Sequence, residues 1–259
     1  MQFIRSLSAS RAVLVLLVIL AVLIALHGVV AIGHLAFHLR LGAMTKLFDV
    51  DIEANVPTLF NVLLFLVGAA LFLMAGNMHT GRGRWPWYLM AAIMAFLGMD
   101  EGSQVHERFM NFTLRLLGDG EMRIGQMGWL FYAWTIPYLV GAAALLVLLL
   151  PWLMRIEARL RNGLLLAGAI YVLGAAGMEA FGGKTAERLL VDMRPPESYA
   201  WLPCDVYVAS DCFLYADAGY VAIYTIEETL EMTGLILCIG VMLRLLARHR
   251  VEWTVRFRA

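Results

Sequence analysis

The stretch Gly98–Phe109, GMDEGSQVHERF, continues an apolar run and then presents Asp100, Glu101, His106 and Glu107 with no turn residue between them. A second acid group, Glu227, Glu228 and Glu231, stands in YTIEETLEMTG, and Glu179 stands in GAAGMEAFGG. Carboxylates and an imidazole gathered in apolar surroundings can hold a divalent ion, relay protons or work as an acid–base pair. On a continuous helix, Asp100, Ser103, Gln104 and Glu107 share one face, with Glu101 turned away beside Arg108 and His106 flanking Ser103. Tyr220, Tyr224, Glu227 and Glu231 make a second stripe with Glu228 at its edge. His27, His34 and His38 make a third.

These patterns give an expected site. Asp100, His106, Glu107, Glu179, Glu228 and Glu231 are the candidate metal ligands. Glu101 and Glu227 are the candidate catalytic acid–base residues. His34, His38, Glu53, Tyr220 and Tyr224 are additional lining residues. Oxygen-rich sites suit Mg or Mn, and mixed carboxylate–imidazole sites suit Fe or Zn, so the expected cofactor is a divalent metal ion of one of these kinds. The Glu-x-x-His signature of di-iron bundles is absent. The plainer reading is structural pairing, for instance Glu179 with Lys184.

The elements that position these residues follow from hydropathy. Of 259 residues, 61% are hydrophobic and 15% charged, far more apolar than a soluble domain of that length requires. Several windows of about 20 residues carry almost no charge, enough to cross a bilayer as helices. Period-two alternation is absent, which argues against a barrel. The expected fold is all-α, a single membrane domain over residues 1–259. Its six spans run near Arg11–Phe37, Pro57–Gly76, Trp85–Met110, Gly128–Met154, Arg161–Gly182 and Ala218–Leu246. The first span is too long, and too free of a cleavage signal, for a removed secretory peptide.

Net charge is zero, with 20 basic and 20 acidic residues, but the arginines are lopsided. Twelve of them, including Arg82, Arg84, Arg155, Arg159 and Arg161, fall on the side of both termini, opposed by Glu157 and Glu252. The positive-inside rule then gives both termini in the cytoplasm. On that topology the polar residues of five segments all lie in the outer half of the membrane. Gly98, Gly102, Gly174, Gly177 and Gly234 flank the acids and would let helices approach closely. Residues 183–217 form a short extracytoplasmic cap between the fifth and sixth spans, where Cys204 and Cys212 are a disulfide candidate. Cys238 lies mid-span as packing. The Arg-rich tail fits contact with anionic lipid and gives no ground for nucleic-acid binding.

Together DIEANVPTLFN, MDEGSQVHERF and IEETLEMTG resemble a group of uncharacterised bacterial multi-pass membrane proteins. The resemblance covers about half the chain and implies a bacterial inner (cytoplasmic) membrane location, with Glu53, Asp100, Glu101, His106, Glu107, Glu227, Glu228 and Glu231 acting as one unit. It implies no activity. Three functions are consistent with the residues. The first is a metal-dependent hydrolase or oxidoreductase acting on a lipid or other apolar molecule. The second is a divalent-cation or proton transporter. The third is an accessory subunit of a membrane complex. The apolar inner halves of the spans favour the enzyme over the transporter.

Overall fold

The computed structural model describes residues 8–106, 113, 127–192, 199, 201–204 and 212–248. Every regular element among them is helical. Helix α1 (Ala9–Phe37) opens on Ser8, whose hydroxyl accepts from the Arg11 N–H, and closes on His38 in the left-handed region. The short α2 (Gly42–Phe48), about two turns long, leads to α3 (Val56–Asn77). There the Asn55 side chain accepts from the Thr58 N–H at 3.1 Å and Pro57 occupies the first turn, a standard helix start. Helix α4 (Trp85–Ser103) returns alongside α3. Then follow α5 (Thr135–Leu153), α6 (Ala158–Val172), α7 (Glu179–Val191) and the 31-residue α8 (Ala218–Arg248). A π-helical segment, Leu173–Met178, joins α6 to α7.

Five of these stretches are long and apolar enough to cross a membrane: Ala9–Phe37, Val56–Asn77, Thr135–Leu153, Ala158–Val191 and Ala218–Arg248. The expected third span, now α4, is not among the five. It starts on interfacial aromatics and ends on two acids, which dilutes its apolar character. The chain is thus an all-α membrane protein.

Helix α8 is the central post, packing against α1, α3, α6 and the π segment. Its Met232, Ile236, Ile239 and Met242 are fully buried in a core shared with Leu64, Phe65 and Phe72 of α3 and Trp87 of α4. Glycines set how closely it crosses α6. A Cβ on Gly234 would lie 2.8 Å from the carbonyl oxygen of Ala167 and 2.8 Å from the amide nitrogen of Tyr171. A Cβ on Gly174 would lie 2.8 Å from the carbonyl oxygen of Glu227. This is the small-residue contact expected from the sequence, and it brings the α8 acids against the π segment.

Two expectations need correction. The helix carrying Asp100 does not run on to Met110. It ends at Ser103, and Gln104 takes the left-handed conformation (φ 54°) with its N–H on the Asp100 carbonyl. Asp100 and Gln104 therefore do not continue one helix face, and Glu107 and Met110 lie outside the described residues. The fifth span, in turn, does not stop at Gly182 but continues as helix to Val191, so the following connection is shorter than residues 183–217. Within that connection Cys204 and Cys212 form a disulfide, with Cα atoms 5.4 Å apart. Leu202 and Cys212 pack there against Ile52.

The α6–α8 crossing gives a stability prediction. Gly234→Leu forces a side chain into two backbones and should cost about 1–3 kcal/mol. Gly28→Ala, where nothing lies within 4 Å, should leave stability unchanged or raised. Thermal unfolding in detergent should separate the two variants. Equal losses would mean the helices do not cross this closely.

Candidate functional site

The break at Gln104 decides where the imidazole goes. Because the chain turns there, His106 folds back on Asp100. Its backbone N–H donates to Asp100 Oδ1 at 2.8 Å, and its Nδ1 lies 3.5 Å from the same oxygen. The Tyr138 hydroxyl of α5 donates to the other oxygen, Oδ2, at 2.7 Å. Asp100 is 4% exposed, so its carboxyl is held by groups on two sides of a turn and on a separate helix. A non-glycine residue with positive φ costs energy that other contacts must offset. Here the bond from the His106 N–H to Asp100 offsets it.

Aromatic rings extend the arrangement. His106 tilts against the Trp134 ring, centroids 4.5 Å apart, and Tyr138 meets Trp134 edge-on at 5.4 Å. The Trp134 indole N–H donates to Glu179 Oε1 at 3.1 Å. Glu179 is the first residue after the π segment. One extra residue in a helical turn shifts the phase of everything after it, and such segments recur at functional sites. Ala176 and Glu179, one turn apart, both face the same space. The Glu179 carboxyl is in hydrogen-bond contact with Glu227 of α8. One turn on, Glu231 is in contact with the Tyr171 hydroxyl. From α3, Asn61 Nδ2 donates to Glu101 Oε1 at 2.9 Å, which corrects the expectation that Glu101 turns away from the site toward Arg108.

All these groups surround one cavity of about 1370 Å³ between α4, α5, α6 and α8. Eight acids line it: Asp51, Glu53, Asp100, Glu101, Glu179, Glu227, Glu228 and Glu231. Tyr220 and Tyr224 line it as well, as expected, and Tyr215 hydrogen-bonds Asp51 at the same end. Among the described residues no Lys or Arg lines the cavity. Lys184 does not reach Glu179 but sits over the Trp129 ring at 4.5 Å. At about 2.5–3.5 kcal/mol for each charge held mid-membrane, the six acids carried on helices would together reach or exceed a typical folding stability of about 5–15 kcal/mol if all were ionised.

Beyond Glu231 the walls become apolar. On α8 the lining continues through Gly234, Leu235 and Cys238, and Leu89, Ile93, Leu145 and Leu164 face the same space from α4, α5 and α6. From Tyr220 to Cys238 the lined length of α8 is about 27 Å at 1.5 Å per residue. Helix α5 buries Thr135, Leu149 and Leu153 and rests on the π segment, and among the described residues it meets α4 mainly where Tyr138 bonds Asp100. Phe96 on α4 and Leu139 and Leu148 on α5 line the cavity yet are 45%, 43% and 55% exposed.

The histidine stripe of α1 does not join this site. His34 bonds Thr45 through Nε2 at 3.0 Å. His27 bonds Thr225 at 3.0 Å and lies 3.4 Å from the buried Asp49. His38, just past the helix, is exposed and stacks on Trp201 at 4.5 Å. These residues fasten α1 to α2, α8 and the disulfide-bearing connection. Among the described residues, no three His, Cys, Asp or Glu side chains form a group that could hold a metal ion. Several of the acids are hydrogen-bonded to Tyr138, Asn61, Trp134 or Tyr171. Glu107, part of the expected ligand set, lies outside the described residues.

Asn61, Trp134, Tyr138 and Tyr171 are the site residues that spacing does not reveal. Asn61 in TLFNVLLF and Tyr138 in TIPYLVG each carry a faint signal, a lone polar group in an apolar run. Tyr138→Phe and Asn61→Leu each remove a side-chain donor from a cavity carboxyl and should cost about 1–3 kcal/mol. Exposed Ser103→Ala should cost almost nothing. Thermal unfolding in detergent checks this, and a neutral Tyr138→Phe would refute the Asp100 contact.

A family model described as Domain of unknown function (DUF8692) matches residues 11–245. No curated protein and no solved structure matches the chain.

Proposed function

The chain belongs to this family of unknown function, and we propose that it is a membrane enzyme that draws an amphiphilic molecule out of the bilayer and performs acid–base chemistry on its polar end. The observation that carries this reading is the cavity itself. It is acidic and aromatic at one end and apolar at the other, a division matching a headgroup and a tail. Each methylene buried against the apolar wall is worth about 0.8 kcal/mol. The gap between α4 and α5 offers a side route from the lipid.

The chemistry rests on Asp100 and His106. A carboxylate that orients an imidazole makes it a general base. His106 takes a proton from water or from a hydroxyl of the bound molecule and returns it to the departing group, so protons balance over the cycle. The Glu179–Glu227 pair is placed to act as a second proton carrier.

The six-span topology with both termini inside belongs to this proposal, α4 being the sixth span. The arginine distribution supports it. So does the Cys204–Cys212 disulfide, which fits an oxidising compartment and lies at the acidic end of the cavity, near Asp51. The site then opens toward the outer leaflet of a bacterial inner membrane. Transport of ions is the weaker reading, because the polar lining stops at Glu231.

Purified protein in vesicles made from extracted bacterial lipids should convert one lipid class, read by mass spectrometry. His106→Ala should slow that conversion by about 10²–10⁴-fold. No conversion of any class, with ion flux through sealed vesicles instead, would replace the enzyme with a transporter.

A further inference from the structure

We infer that a groove between α7 and the turn Gly128–Leu130 holds the headgroup phosphate of an anionic phospholipid, with Lys184 and Arg188 as its cationic partners. This groove shares no lining residue with the acidic cavity, and its ligand is independent of what that cavity takes.

A buried acid builds one wall. Glu187 of α7 is 6% exposed, and its two carboxylate oxygens accept the backbone N–H groups of Met127 and Gly128 at 2.7 and 2.6 Å. Hydrogen bonds to an ionised carboxylate are among the stronger ones. They clamp the turn onto α7 and set Trp129 beside the helix. Lys184 Nζ then lies 4.5 Å from the centre of the Trp129 ring, and Phe181 meets the same ring edge-on at 4.6 Å. The space left is about 610 Å³, lined by Trp129, Phe181, Lys184, Thr185 and Arg188 among others. Phe181, Lys184 and Arg188 recur at three and four residues, so they share one helix face.

Depth in the bilayer assigns the ligand. The stretch Ala158–Val191 is one of those able to cross a membrane. From Arg161 near its start to Lys184 the helix rises about 35 Å, enough to pass the roughly 30 Å hydrocarbon core. Lys184 therefore lies where the headgroups begin, and Arg188 about 6 Å farther out, inside a headgroup layer of about 5–8 Å. Phe181 and Trp129, 51% and 45% exposed, flank the bases as rings do at a membrane interface.

The charges fit the same depth. Among the described residues the groove's charged groups are Lys184, Arg188, Glu187 and Asp192. Glu187 is turned inward and bonded to the turn, and Asp192 stands about 12 Å beyond Lys184, past the headgroup layer. At phosphate level the groove thus presents a guanidinium, an ammonium and the Thr185 hydroxyl, donors suited to phosphate oxygens. The rings beneath them suit the first carbons of an acyl chain, which a soluble anion lacks.

The test uses full-length protein in a neutral detergent and a phosphatidylglycerol bearing a photoreactive group near its head, with labelled positions mapped by peptide mass spectrometry. Label should fall on Trp129 and on residues 181–192 of α7. Unlabelled phosphatidylglycerol should displace it at about fivefold lower concentration than phosphatidylcholine, and inorganic phosphate should not displace it. Lys184→Gln and Arg188→Gln should each lower label in the groove about fivefold while leaving label near Arg159 and Arg161 unchanged. Arg188→Gln keeps the Trp129 contact, so it carries the same expectation even where Lys184→Gln loosens the turn. Absence of label from the groove, equal label in both variants, or equal displacement by phosphatidylcholine would overturn the anionic lipid. Displacement by inorganic phosphate as effective as by phosphatidylglycerol would also overturn it, in favour of a soluble anion.

Discussion

Carboxyl groups in a low-dielectric interior are costly unless something answers their charge or supplies their hydrogen bonds. That constraint organises this molecule. Eight acids face one cavity with no Lys or Arg on its described wall, and the surrounding structure is arranged around them. Tyr138 and the folded-back His106 serve Asp100, Asn61 serves Glu101, Trp134 serves Glu179, and Tyr171 serves Glu231. Each donor comes from a different element from its acid or from beyond a turn. The contacts that satisfy the acids therefore also fix the helices relative to one another.

The same constraint accounts for irregularities in otherwise plain apolar helices. Gln104 leaves the helical conformation, and a π segment immediately precedes Glu179, which lines the cavity. Gly174 and Gly234 let α8 approach within backbone distance, which puts Glu227 and Glu231 beside that segment. Among the described residues, helix α5 meets α4 where Tyr138 bonds Asp100, and the cavity lies between the two helices. A second polar system, His27, His34, Asp49, Thr45 and Thr225, is compact and internally bonded. It makes a useful contrast: a node whose function is to fasten α1 closes on itself, whereas the acids around the cavity open onto space.

Much of this was legible in the residues. Apolar runs of membrane length mark the helices, and acids within them are expensive enough that their convergence could be expected before any fold was known. The α8 stripe of Tyr220, Tyr224, Glu227 and Glu231 is a matter of helical period and holds. Misreadings arose where tertiary contacts override period. Nothing in GSQVHERF announces a turn, because the left-handed Gln104 is stabilised by Asp100 and not by a local signal. LGAAGM fits an α-helix as well as a π segment. The histidine stripe assumed that α1 continues past Phe37, yet His38 is its left-handed cap. The Tyr, Trp and Asn donors beside the acids follow no helical period, so the sequence pattern does not show them.

The most direct test of a ligand-holding acidic cavity is an experimental structure of the protein in a lipid nanodisc prepared without added ligand. Elongated density should run from the Glu227–Glu228–Glu231 face down to Leu235 and Cys238, with α5 held away from α4. A cavity closed by α5 packing onto α4, with the acids paired among themselves and no density between them, would contradict it.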